Sequence, residues 1–213
     1  MVGPLVFIVL LVAASGFFAW NISKIVRNIR LGGDWNASDN PRARFKKMAL
    51  FALGQKGMFT RPIAGLLHFF VYVGFVLINI EIVEIIIDGI TGSHRIFYPY
   101  VGAAYNEFIS FFEILVFAVL FGVVVFLIRR NMMSIKRFQA RAEVVLMIAI
   151  LVMNGTDLAL QQKGHAHYPE TGSFLISGMI APLFSGMSTS GLVILERSAW
   201  WAHIIGIFAF LNY

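Results

Sequence analysis

Two histidines lie inside long apolar stretches of the sequence, where ionisable side chains are rare. His68 falls early in the run that begins at Ile63, and His203 falls within the last apolar run. Burying such a group in a bilayer is costly, so an intramembrane histidine usually serves a function. Neutral imidazole is a common ligand of haem iron. We therefore predict that His68 and His203 are axial ligands of b-type haem. The alternative is that each bonds a backbone carbonyl of a neighbouring helix.

The polar residues that follow His68 predict how its helix faces the rest of the protein. On a helix that advances about 100° per residue, four side chains share one stripe: His68, Tyr72, Phe75 and Asn79. We expect this stripe to face the interior of a helical bundle.

The depths of the two histidines favour two separate haem levels. His68 lies about 10 Å from the cytoplasmic edge of its span, and His203 lies about 8 Å past Ser198, where we expect the last helix to begin. The hydrocarbon core is about 30 Å thick, so these depths are different. A last helix that began near Ser190 would bring them together. Gly206, one turn after His203, is expected to leave room for a flat ring.

Acidic residues gather near the outer end of the span that holds His68. We predict that Glu81 and Glu84 accept the protons that a quinol releases on oxidation, because this reaction needs a proton acceptor beside the electron acceptor. The alternative is that they are interfacial carboxylates that reach water. Glu113, early in the next span, has the same two interpretations.

Three further histidines, His94, His165 and His167, lie in the outer loops. His94 or His167 is a candidate ligand that completes an outer haem with His203. The alternative is an ordinary solvated loop histidine. A surface copper or zinc site is not favoured, because no cluster of carboxylates or thiolates accompanies them.

The composition is that of an integral membrane protein. The 213 residues are 59% hydrophobic and 13% charged, and the mean hydropathy is +0.80. Soluble domains have about 25% charged residues. The sequence contains no cysteine, which excludes iron–sulfur ligation, Cys-x-x-Cys-His haem attachment and disulfides within this chain. The high pI of about 9.8 reflects basic loops that set membrane topology, not a nucleic-acid site.

The apolar runs predict an all-α, five-helix membrane bundle across residues 1–213. Their approximate limits are 4–26, 62–88, 108–128, 142–160 and 198–213. Apart from Arg95, Lys163 and Arg197, the 17 basic residues lie in or beside the two loops that follow the first and third spans. Such loops stay in the cytoplasm, so we expect an outside N-terminus and a multi-pass protein of the bacterial inner membrane. Residues 42–51 are expected to form a basic amphipathic helix on membrane lipids.

The region before the last span is moderately apolar but interrupted by glycine and proline. We expect residues 174–195 to form an additional helix on the outer surface between the fourth and fifth spans. The last run, counted from Ala199, is about 22 Å long and too short to cross the membrane. Either the last helix begins earlier, before Glu196 and Arg197, or the sequence is part of a longer protein whose chain continues on the cytoplasmic side. Of the two, we expect the longer protein.

Two passages resemble a known group of membrane cytochromes. They are RPIAGLLHFFVYVGFVLINIEIVEIIIDGITGSHRIF and ERSAWWAHIIGIFAFLNY. They resemble the cytochrome b subunit of respiratory nitrate reductase and, more closely, the membrane part of heterodisulfide-reductase-type iron–sulfur oxidoreductases. The resemblance implies that His68 ligates an inner haem and His203 an outer haem. A second helix-two histidine of that family would fall near Ile78 or Asn79, where this sequence has none, and a second helix-five histidine would lie beyond Tyr213.

Together these features predict a membrane b-type cytochrome with one or two haems. It would exchange electrons between menaquinone or another quinone and a cytoplasmic iron–sulfur protein, either separate or fused after the last helix. Two other classes stay open: a haem-free membrane anchor of a larger complex, and an ion-conducting transporter subunit that uses Glu81, Glu84 and Glu113.

Overall fold

The computed structural model describes residues 2–32, 40–133 and 141–212. These residues form helices and no strands, so the prediction of an all-α protein is confirmed for the described ranges. In chain order the helices are α1 (Val2–Arg30), α2 (Pro41–Met48), α3 (Pro62–Thr91), α4 (Tyr98–Val101), α5 (Ala104–Met133), α6 (Arg141–Gln162), α7 (Leu175–Ile180) and α8 (Thr189–Asn212).

Five of these helices, α1, α3, α5, α6 and α8, are long and apolar enough to cross a membrane, as the sequence predicts. They pack in a closed ring in which α1 contacts α3 and α8, α3 contacts α5, α5 contacts α6, and α6 contacts α8. Glycine permits the closest approach: a Cβ added to Gly74 would lie 2.5 Å from Cγ2 of Val119. The bundle interior therefore depends on small residues on α3 as well as on apolar side chains.

Contacts between the helices show which of their ends lie together. Gly89, near the end of α3, lies against the ring of Phe7, near the start of α1. The rings of Phe75 on α3 and Phe210 on α8 are 6.2 Å apart. Ile85 and Trp200 line one cavity. A residue late in α3 thus faces the start of α1 and another faces the middle of α8, whereas Phe75 in the middle of α3 faces the end of α8. Helix α3 therefore runs antiparallel to both.

The last helix begins earlier than predicted. It starts at Thr189, not Ser198, and so is long enough to span a membrane. The sequence prediction placed the charged pair Glu196 and Arg197 outside the helix. In the structure Glu196 is buried and accepts hydrogen bonds from Arg197 and from Tyr168 at 2.5 and 2.7 Å, so the pair lies within the helix.

The segment before α8 also differs from the prediction. In place of one surface helix over residues 174–195, the structure has α7, a short 3-10 helix (Ala181–Phe184), and then the first turns of α8. Pro182 at the start of the 3-10 helix lacks the amide hydrogen that a continuous α-helix would need.

A basic helix is present where residues 42–51 predict one. α2 begins after Asn40, whose side chain accepts a hydrogen bond from the amide of Ala43 at 3.2 Å. It continues into a π-helical turn (Ala49–Leu53), and neither segment contains a buried residue. Contact of this segment with lipid stays a prediction.

Single cysteines placed in these 213 residues will test the orientation of the bundle, because this stretch contains none of its own. Ala43→Cys lies in α2, and Ala166→Cys lies in the loop between α6 and α7; both positions are exposed. In intact spheroplasts we expect a membrane-impermeant maleimide to label Ala166→Cys and to leave Ala43→Cys unlabelled until the membrane is opened. Labelling of Ala43→Cys from outside would reverse the predicted topology.

Candidate functional site

His203 lies on the buried face of α8 and is tied to α6. Its Nδ1 is 3.0 Å from the backbone carbonyl oxygen of Leu146. A carbonyl only accepts, so Nδ1 carries the proton and Nε2 keeps a free lone pair. This contact is the one expected of a structural histidine, and it is also the second contact that metal-ligating histidines usually make. The bond therefore prepares His203 as a ligand without proving that role.

The space beside Gly206 is already filled, contrary to the prediction that it leaves room for a flat ring. A Cβ added to Gly206 would overlap Cδ2 of Leu146. The glycine instead lets α8 and α6 approach at the level where His203 bonds Leu146. The small size of Gly206 thus allows the close packing in which His203 bonds the carbonyl of Leu146.

His68 has a different environment on α3. It is half-buried, and among the described residues it has no hydrogen-bond or ion-pair partner. Phe75 and Asn79, predicted to share its interior stripe, are exposed, and Asn79 bonds back to the carbonyl of Phe75 at 2.5 Å. The buried face of α3, which includes Ile78 and Glu81, lies about 100° around the helix from that stripe. The predicted stripe therefore lies beside the buried face of α3 and does not point into the interior of the bundle.

The two intramembrane histidines lie at different levels of the bundle. Phe75 and Phe210 meet between the antiparallel helices α3 and α8. His68 precedes Phe75 by about two turns, and His203 precedes Phe210 by about two turns. Because the helices run in opposite directions, the histidines lie on opposite sides of that contact, about 20 Å apart along the axis. One haem iron ligated by both is incompatible with this separation.

A buried ion pair fixes the end of the bundle that is predicted to face outside and is here termed the outer end. Arg95, in the loop after α3, donates to Asp157 of α6 through Nε at 3.1 Å and through Nη2 at 2.9 Å. It also bonds Asn154 at 2.8 Å and Tyr105 at 3.3 Å. Burial alone would lower the pKa of Arg95, but Tyr105, Asp157 and Glu81 raise that pKa well above its ordinary value. The guanidinium stays charged and joins three segments.

Most of the nearby carboxylates have structural partners. Glu84, predicted as a proton acceptor, accepts hydrogen bonds from the hydroxyl of Tyr105 at 2.7 Å and from the amide of Phe97 at 3.0 Å. Asp88 accepts hydrogen bonds from the amides of Arg95 and Ile96 and from the hydroxyl of Ser93. These bonds hold the loop after α3.

Glu113 has a comparable structural role on α5. It accepts hydrogen bonds from the amides of Ile176 and Ser177, at 2.7 and 3.1 Å, and from the hydroxyl of Ser177. The carboxylate thus satisfies backbone donors at the start of α7. It binds the segment between α6 and α8 onto α5.

Glu81 differs from these carboxylates, because it is buried but no described residue donates a hydrogen bond to it. Its side chain is 5% exposed. It lines a cavity of about 20 Å³ that Asp157, His94 and Trp200 also border. This volume is enough for one water, which needs roughly 10–15 Å³. Glu81 is thus the carboxyl group best placed to exchange a proton with a guest molecule.

The outer histidines gather around one tyrosine. The ring of His94 lies 4.7 Å from Tyr168 and 5.7 Å from His167, and His165 lies 5.3 Å from Tyr168. Nε2 of His94 is 3.3 Å from Oδ1 of Asp157. Within residues 2–32, 40–133 and 141–212, no group of three or more His, Asp or Glu side chains has the geometry to hold a metal ion. Asp157 occupies Nε2 of His94 and leaves Nδ1 of that ring, and the ring of His167 has no hydrogen-bond partner among the described residues. The role of His94 or His167 as an outer-haem ligand stays a prediction.

Sequence reasoning missed the central role of Arg95. It counted this residue only as an outer-loop cation, whereas the side chain is 6% exposed and its φ of 57° lies in the left-handed region. One signal was available: Asp157 near the end of an apolar helix needs a positive partner, and few basic residues lie on the outer side. The sequence did not show which one reaches it.

Two curated relatives are similar to this chain along almost its whole length. "Probable iron-sulfur-binding oxidoreductase FadF" of Bacillus subtilis is 26% identical over 217 residues, which are 98% of this chain and 30% of FadF. "EtfAB:quinone oxidoreductase" of Syntrophomonas wolfei is 24% identical over 222 residues, 97% of this chain and 30% of that protein. The chain therefore spans less than a third of the length of these relatives.

These similarities support the predicted resemblance to the membrane part of iron–sulfur oxidoreductases. They do not support a nitrate reductase subunit. No protein-family model and no solved structure matches the chain.

Removing the guanidinium of Arg95 should destabilise the outer end of the bundle. Arg95→Met leaves Asp157 charged and buried, which we expect to lower the free energy of unfolding by about 3–5 kcal/mol. Arg27→Met, on the exposed part of α1, should change it by less than about 0.5 kcal/mol. Denaturant unfolding in detergent, followed by circular dichroism, measures both.

A second substitution separates the ion pair from general packing. Asp157→Asn in the Arg95→Met background should recover part of the lost stability, because it removes the unpaired charge. An equal decrease in the free energy of unfolding for Arg95→Met and Arg27→Met would contradict the structural role of the Arg95–Asp157 pair.

Proposed function

We propose that this chain is a membrane electron-transfer module that carries b-type haem. It exchanges electrons between a quinone, such as menaquinone, and an iron–sulfur protein on the cytoplasmic side of the bacterial inner membrane. The observation that carries the proposal is the placement of His68 and His203 on two antiparallel membrane helices, about 20 Å apart along the bundle. Similarity to proteins named as an iron–sulfur-binding oxidoreductase and a quinone oxidoreductase supports it.

The two histidines suit haem ligation in different ways. His203 has its Nδ1 bonded to Leu146 and its Nε2 free, as a ligand requires, within a packed region. His68 has no partner in the described structure, and Phe75, two turns further along the same face of α3, is largely exposed, which leaves room beside that face. A bound haem would supply reversible one-electron transfer at each level. We therefore assign His68 to an inner haem and His203 to an outer haem.

Quinone chemistry also needs a proton-exchanging group, and Glu81 is the better of the two predicted candidates. It lies at about the level of His203, since Ile85, one turn further along α3, shares the small cavity with Trp200 on α8. Glu84 is held by Tyr105 and Phe97 and acts as a positioning residue for the outer loop. Proton exchange is therefore proposed for Glu81, and Glu84 is proposed to hold the outer loop in position.

An iron–sulfur partner is part of the proposal because this chain cannot ligate a cluster itself. It has no cysteine. The partner is either a separate protein or a domain fused after the last helix. The basic segments at residues 42–61 and 129–141 are the proposed docking region, and they are expected to face the cytoplasm.

The two alternative functions have less support. An ion path through Glu81, Glu84 and Glu113 would need these groups to be available, whereas Glu84 and Glu113 each accept hydrogen bonds from backbone amides. A haem-free anchor gives no reason for a histidine on α3 that has no partner among the described residues. Both alternatives predict a complex without a haem spectrum.

Histidine variants of the complete complex test the proposal. His68→Ala and His203→Ala should each remove one of two b haems, and the double variant should remove both, because the two residues lie at separate levels. His165→Ala, in the outer loop, is the matched control and should keep full haem content. Reduced-minus-oxidised spectra and pyridine haemochrome assays provide the measurement.

Two outcomes would contradict this assignment. Full haem content in either single variant would exclude that residue as a ligand. Loss of all haem from a correctly inserted single variant would contradict the two-level arrangement.

A further inference from the structure

We propose that His94 and His167 form a proton relay between the buried carboxyl group of Glu81 and the outer solution. This inference rests on the proposed function, since it names the residues through which a quinone site beside Glu81 would exchange protons. Neither His94 nor His167 is assigned to a haem in the proposed function, and neither belongs to the carboxylates that hold the loops.

The inner end of the relay is the cavity beside Glu81. The cavity holds about 20 Å³, which is room for one water. Glu81, Asp157, Arg95 and His94 all border it, so a water there has both donors and acceptors. Glu81 is buried and receives no hydrogen bond from the described residues, so its carboxyl group is free to bond that water.

The middle of the relay is the imidazole of His94. Its Nε2 is 3.3 Å from Oδ1 of Asp157, which is itself fully buried. The His94 side chain is 11% exposed, so it lies at the boundary between the interior and the outer surface. Imidazole has two ring nitrogens that can each carry a proton, so the ring of His94 can receive a proton on one nitrogen and release one from the other.

The outer end of the relay is His167. It is exposed, and its ring centroid lies 5.7 Å from that of His94. Partial burial, followed by the charges of His94 and Arg197, lowers the pKa of His167. His167 therefore gives up a proton to water readily.

Tyr168, which packs against both histidines, does not take part in the relay. Its hydroxyl donates to Glu196 at 2.7 Å, and burial followed by the charge of Glu196 raises its pKa. The phenol therefore stays protonated and serves to hold the histidine rings in place.

The proton and electron balance of the step is simple. Oxidation of one quinol to quinone releases two electrons, which the iron–sulfur partner accepts, and two protons. Each proton passes from a quinol hydroxyl to Glu81, through the cavity water to His94, and then through His167 to the outer solution. Only O–H and N–H bonds form and break. Quinone reduction uses the same path inward.

Hydrogen–deuterium exchange of the Glu81 carboxyl group tests the relay without requiring activity. Infrared spectra of the complete complex identify the protonated-carboxyl band that Glu81→Gln removes, and its shift after transfer to D₂O gives the exchange rate. His94→Gln and His167→Gln keep a polar side chain but carry no titratable proton, and each should slow exchange, His94→Gln on the order of 100-fold. The matched control His165→Gln should exchange at the wild-type rate.

Chemical rescue separates proton transfer from a packing defect. Imidazole added to His94→Ala should restore rapid exchange, since the small base fits the space that the side chain leaves. Failure of rescue would assign His94 a structural role and overturn the relay. Unchanged exchange in both glutamine variants, equal slowing in His165→Gln, or absence of a Glu81 band would also overturn it.

The same preparations distinguish the relay from the proposed function. Slow exchange in His94→Gln with a wild-type complex that contains no haem would keep the relay and reject the haem assignment. Normal haem content with unchanged exchange would reject the relay alone.

Discussion

The outer half of this bundle depends on the bond between Arg95 and Asp157. A charge buried in a low-dielectric interior is costly unless an opposite charge and hydrogen bonds compensate it. Asp157 is fully buried, and Arg95 reaches it from the loop after α3 through two nitrogens. This pair brings α3, α5 and α6 together at one end, and the remaining polar contacts at that end are arranged around it.

This constraint also decides which acidic groups are free for chemistry. Glu84, Asp88 and Glu113 each accept backbone amides, and Glu196 is bonded by Arg197 and Tyr168. Glu81 is left buried beside a small polar cavity. The same loop that carries Arg95 places His94 between this cavity and the outer surface, so the structural ion pair and the proposed proton path share one framework.

Sequence reasoning predicted the helices better than the polar contacts between them. Runs of apolar residues specify membrane helices directly, because backbone groups in lipid must bond within their own segment. The start of α8 was wrong because Glu196 and Arg197 suggest water, whereas tertiary bonds to Tyr168 and between the pair stabilise them inside the helix. The orientation of His68 was also inexact, since helical periodicity gives a stripe but not the neighbour that it faces.

The central claim is that the membrane domain carries b-type haem at the levels of His68 and His203. The most direct measurement is the haem-to-protein ratio of the purified native complex, obtained by pyridine haemochrome assay together with a reduced-minus-oxidised spectrum. The account predicts two b haems per chain, both reducible by dithionite. A fully assembled complex with no b haem, active or inactive, would contradict it.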